Sequence, residues 1–124
     1  MIKYLSAQAV FNKVAKHLLT QKHPAMDDSG DCVYLADDGK RCAIGCLIPK
    51  RLYNKNIEFC SVEMARPEDL LYGILKKSKV NIKKDNELLI ELQNAHDNYT
   101  GGGWAKPLKK VAAKFNLKYM GKKV

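Results

Sequence analysis

Cys32-Val33-Tyr34-Leu35-Ala36-Asp37-Asp38-Gly39-Lys40-Arg41-Cys42-Ala43-Ile44-Gly45-Cys46-Leu47-Ile48-Pro49 is the stretch on which the reading of the fold turns. Val33, Tyr34 and Leu35 suit a pleated, half-buried surface. Asp38-Gly39 tolerates the positive φ that a tight turn demands. The spacing predicts a β-hairpin near residues 32–48. Arg41–Ile48 returns as its second strand or turns into a helix near Cys42, and Pro49 stops the element. With Asp38 and Gly39 as the turn residues, Cys32 falls opposite Gly45, one position from Cys46.

Working outward, the pattern becomes helical. Ser6 can cap a helix running to about Gln21, with Phe11, Val14, Ala15 and Leu18 on its apolar face. His23-Pro24 and Asp27-Asp28-Ser29-Gly30 read as loop. Residues 50–66 are irregular. Pro67, Glu68 and Asp69 predict a helix start, because proline fits a first turn and acids oppose the dipole there. Leu70, Leu71, Ile74 and Leu75 give its buried side, ending near Lys77. Asp85 caps a further helix carrying Leu88, Leu89, Leu92, Ala95, His96 and Tyr99 on one side, and Gly101-Gly102-Gly103 ends it. A last helix begins near Trp104, holds Pro107 in its first turn, and buries Leu108, Val111, Ala112 and Phe115. The expected class is α+β: a small, mostly helical single domain over residues 1–124, with four or more helices and one hairpin. Residues 118–124 read as a basic, flexible tail.

At 124 residues and 46% hydrophobic content, the chain has the length and composition of one globular domain. No apolar run is long enough to span a bilayer. Met1–Ser6 lacks the apolar core and cleavage site of a signal peptide, which predicts a reducing cytoplasm and free thiols rather than disulfides. The net charge is +9, and from Trp104 onward there are seven lysines and no acid. Such a surface favours acidic partners. Lysine outnumbers arginine nineteen to three, however. Specific phosphate and base recognition leans on the arginine fork, so nucleic-acid binding is expected to be weak and indifferent to sequence.

Three sites are readable. A thiolate at Cys42 or Cys46, near a helix start, with His96 as base, would make a small cysteine-dependent hydrolase. Asp97 follows His96 directly on a helix, a third of a turn away, and is expected to be poorly placed to orient it. The alternative is that both thiols are core residues and His96 is a buried histidine donating to backbone. Cys32, Cys42, Cys46 and Cys60 or His96 have the right elements for zinc, but no close ligand pair, so neither stoichiometric metal nor a cofactor is expected. A binding surface would draw on Trp104, Lys106, Lys109 and Lys110, with His96 and Asp97 nearby, the glycine triplet offering phosphate a helix start. Trp104 is either an exposed stacking platform or, as expected, a core anchor packed on the first or penultimate helix.

Together these residues resemble a family of small phage and prophage proteins. The resemblance runs from about residue 10 to 117. It rests on Phe11…His17-Leu18-Leu19…Gln21, Cys32-Val33-Tyr34, Leu88-Leu89…Leu92-Gln93…His96-Asp97 and Trp104…Leu108…Ala112, and most specifically on Cys42-Ala43-Ile44-Gly45-Cys46-Leu47-Ile48-Pro49. It transfers no catalytic residue. It implies a phage-encoded accessory protein in the host bacterial cytoplasm, masking a host protein, one of its defences included, or sequestering a nucleotide-like ligand. The hydrolase and the lysine-rich nucleic-acid binder are the alternatives.

Overall fold

Periodic apolar faces set the frame. In a computed structural model describing residues 3–58, 60–98 and 101–119, the helices are α1 (Ala7–Gln21), α2 (Leu70–Lys77), α3 (Asn86–Asp97) and α4 (Ala105–Lys114). The Ser6 hydroxyl accepts from the Ala9 amide and caps α1 as expected. Pro67 and Glu68 lie in a turn ahead of α2, and Asp69 takes the cap position. Asp85 and Trp104 stand at the N-caps of α3 and α4. Phe11, Val14 and Leu18 of α1, Leu89 and Leu92 of α3, and Leu108 of α4 are fully buried in one core. Phe115 is only half-buried. Tyr99 lies outside the described residues.

The hairpin does not form, and this corrects the expected α+β class. Among the described residues there is no strand or sheet, only isolated antiparallel bridges at Met26–Cys32 and Leu35–Arg41. The turn itself is present. Ala36 N–H donates to Lys40 O, and Gly39 sits at φ +90°. Both arms then leave the ladder. On the outgoing arm the Glu58 carboxylate takes the amides a partner strand would need: Tyr34 N–H at 2.7 Å and Leu35 N–H at 3.2 Å. On the return arm, Cys42 O accepts Cys46 N–H, and Gly45–Leu47 closes a 3₁₀ turn. The alternative of a helical turn near Cys42 is thus the nearer one, shortened to a single turn. Gly45 is obligatory there, because a Cβ would lie 2.0 Å from Tyr34 O. Three further 3₁₀ turns, Lys50–Leu52, Lys55–Ile57 and Val62–Met64, carry the chain to α2.

The end of the described chain is tied down. The Gln8 side-chain amide exchanges two hydrogen bonds with the Lys118 backbone, at 2.9 and 2.8 Å. Tyr119 meets Phe11 edge-on and lies under the Lys109 ammonium. The remainder of the expected tail, 120–124, lies outside the described residues. No described helix is long and apolar enough to cross a membrane.

Candidate functional site

α3 delivers Gln93, His96 and Asp97 to the segment that follows α1. His96 is fully buried and its ring stacks on Trp104, with centroids 5.5 Å apart and planes 15° from parallel. The Ala25 amide donates to His96 Nε2 at 3.1 Å. A backbone amide can only donate, so Nε2 carries the lone pair and Nδ1 the hydrogen. Nδ1–H then donates to Asp97 Oδ1 at 2.9 Å. That contact corrects the expectation that Asp97 cannot hold the imidazole: neighbours on a helix diverge at Cβ, but at the end of α3 the Asp97 side chain folds back. His96 accepts from backbone with Nε2, where the sequence had it donating. Gln93 Nε2–H also donates to Asp97 Oδ1, at 2.8 Å, while its Oε1 accepts from Ile44 N–H at 3.2 Å.

The thiols separate into two kinds. Cys42 and Cys46 are core residues. Cys42 Sγ accepts from Gly45 N–H at 3.2 Å and Cys46 Sγ donates to Ala43 O at 3.0 Å. Burial pushes the Cys42 thiol far above its ordinary range and the Cys46 thiol up to about 12. Neither is a ready thiolate. Cys32 is different. It is half-buried and lines a cleft of about 320 Å³ with Glu58, Cys60, Glu63, Asn94 and Asp97. Its thiol lies within 4.8 Å of an Asp97 carboxylate oxygen, and burial together with that carboxylate raises it to about 11.

Of the metal set read from sequence, the fold gathers only part. Cys32 Sγ, a His96 ring nitrogen and an Asp97 oxygen lie within 4.8 Å of one another, and among the described residues no other cysteine joins the grouping. Cys32 and Asp97 as a pair is what sequence reasoning missed. No local pattern signals it: the Val33 amide donates to Ala25 O and the Ala25 amide to His96, contacts that belong to the fold.

Glu58 is the most heavily used side chain nearby. Besides the Tyr34 and Leu35 amides it accepts from the Tyr53 hydroxyl, and Tyr34 Oη in turn donates to Cys60 O. Burial and the Glu58 carboxylate raise the Tyr53 phenol well above its usual range.

The sequence-predicted binding residues part company. Trp104 is 1% exposed and packs on the penultimate helix, so its indole offers no surface platform for a base. Lys106, Lys109 and Lys110 are exposed on α4, opposite buried Leu108, Val111 and Ala112. Among the described residues no Lys or Arg lines the Cys32 cleft, whereas Glu58, Glu63 and Asp97 do. The basic face and the acidic cleft are therefore distinct surfaces.

No family model matches the chain, and no curated protein or solved structure matches it.

Proposed function

We propose that this protein works by binding, as a phage-type accessory protein of the bacterial cytoplasm whose lysine face on α4 masks an acidic host protein. The observation that carries this reading is the engagement of every atom the hydrolase alternative would use. Cys42 and Cys46 are core thiols, and both His96 nitrogens are committed, one to a backbone amide and one to Asp97. The acidic lining of the cleft disfavours a nucleotide phosphate there, which leaves Lys106, Lys109 and Lys110 as the complementary surface. With Trp104 buried, its indole gives nucleic acid no stacking platform beside these point charges.

The test is affinity capture from lysate of bacteria expressing the tagged protein, with mass spectrometry of proteins and small molecules. A K106E/K109E/K110E variant runs alongside. Expected is a stoichiometric acidic protein partner lost with the charge-reversed variant. Capture of nucleic acid that vanishes between roughly 50 and 200 mM salt would replace this reading with the nucleic-acid one. Multiple-turnover hydrolysis of thioester or peptide substrates that requires Cys42 or Cys46 would replace it with the hydrolase.

A further inference from the structure

We infer that Cys32, His96 and Asp97 form a zinc-type cation site whose occupation is coupled to release of the Ala25 amide. Spacing alone gives no reason to expect metal here; the fold does. A sulfur from Cys32 converges within 4.8 Å on the imidazole nitrogen and carboxylate oxygen of the distant pair His96-Asp97, beside the cleft that Cys32 and Asp97 line. One carboxylate stands beside both other donors: Asp97 Oδ1 accepts from His96 Nδ1–H at 2.9 Å, and Cys32 Sγ lies within 4.8 Å of an Asp97 oxygen. A divalent cation placed among these donors replaces the thiol hydrogen of Cys32 and Nδ1–H of His96. Mixed S, N and O donors select zinc-like ions; magnesium and calcium prefer oxygen alone. Three protein ligands with the fourth position facing a cleft is the pattern of an open zinc site. Gln93, donating to Asp97 Oδ1, orients the carboxylate from outside the ligand set.

The proton balance gives the coupling. Cys32 loses its thiol hydrogen to solvent and binds as thiolate. His96 remains neutral: its hydrogen leaves Nδ1, which ligates, and Nε2 gains one. The Ala25 amide, 3.1 Å from Nε2, then faces a second N–H and loses its acceptor. The amide must turn away, and with it the loop after α1, whose Ala25 O holds the Val33 amide at 3.0 Å.

The experiment titrates chelator-treated, reduced protein with Cd²⁺ and Zn²⁺. Expected are a saturable thiolate-to-cadmium charge-transfer band and a higher Tm. Nitrogen NMR should show His96 passing from the Nδ1–H to the Nε2–H tautomer, and the Ala25 amide should lose protection from hydrogen exchange. Cys32→Ser removes the band, Cys60→Ser keeps it, and Asp97→Asn weakens binding at least roughly tenfold. Circular dichroism checks that each variant is folded. Should Asp97→Asn fail to fold, the half-buried Cys32→Ser decides alone. Absence of the band in the wild-type protein overturns the proposal, as does its survival in Cys32→Ser. Saturable binding with the His96 tautomer and the Ala25 amide unchanged also overturns it, since His96 would then not be a ligand.

Discussion

The helical frame and the segment between α1 and α2 are held by different physics. α1, α3 and α4 meet through side-chain shape: Phe11, Leu18, Leu89, Leu92, Trp104 and Leu108 fill the space between them. Among its described residues, the segment 22–69 has four short 3₁₀ turns and no sheet to satisfy its backbone. Polar side chains do that instead. Gln21 both donates to and accepts from the Arg41 backbone, at 2.8 and 2.7 Å, and Gln93 accepts from Ile44 N–H. Glu58 holds Tyr34 and Leu35, and His96 holds Ala25. The frame depends on conserved volume; the segment shares that core through Ile44, Leu47, Ile48 and Ile57 and depends in addition on conserved acceptors.

Replacing one atom type at Glu58 tests that contrast most severely. Glu58→Ala strands two amides and a phenol, and should lower the unfolding free energy by roughly 2–4 kcal/mol in chemical denaturation. Glu58→Gln, nearly isosteric, should still cost on the order of 1–3 kcal/mol, because an NH₂ cannot accept from Leu35 N–H. Leu89→Met in the frame should cost less than about 1.5 kcal/mol. Equal losses for Glu58→Gln and Leu89→Met would erase the distinction. Gly45→Ala drives a methyl onto Tyr34 O and should cost about 1–3 kcal/mol; an unchanged Tm would mean that the two arms separate freely. Cys42→Ser puts a hydroxyl where a buried thiol now accepts one amide, and should cost roughly 1–2 kcal/mol while leaving partner capture intact.

A weaker effect concerns alkaline pH. The Cys46 thiol rises from 9.0 to about 12 on folding. Between those values the unfolded chain binds fewer protons than the folded one, so stability is complete below pH 9.0 and declines as pH rises toward 12. Cys42, Tyr34 and Tyr53 shift in the same direction. Cys46→Ala should flatten the alkaline side of a Tm-against-pH curve relative to the wild-type slope; a parallel curve would remove Cys46 from the account. The smallest change in stability is expected for K106E/K109E/K110E, within about 0.5 kcal/mol of wild type.

The division also explains what could be read in advance. Apolar spacing marks α1, α3 and α4 because a buried helical face repeats locally, and Ser6, Asp85 and Trp104 stand at or beside the caps. Nothing local says that Glu58 will reach back over more than twenty positions to Tyr34 and Leu35 and occupy the amides of a would-be strand. Val33-Tyr34-Leu35 has strand propensity, and a tertiary carboxylate overrides it. The same holds at the site. His96 was visible as a histidine on an apolar face, and Asp97 as its neighbour. The meeting with Cys32 depends on Ala25 tying both Val33 and His96, a contact without sequence periodicity.

The Gln8–Lys118 clamp spans 110 positions, so it also sets an order of events during synthesis. A ribosome delivers α1 first, with Phe11, Val14 and Leu18 ready to be covered, while α3 and α4 are still to be made. The amphipathic first helix must wait for nearly the whole chain before its amide finds its partner. Non-local contacts of this kind slow folding and lengthen the time that apolar surface is shown to the cell. A circular permutant opened at the Gly101–Gly103 turn and joined across the old ends would place α4 directly before α1, and should fold faster with the same core.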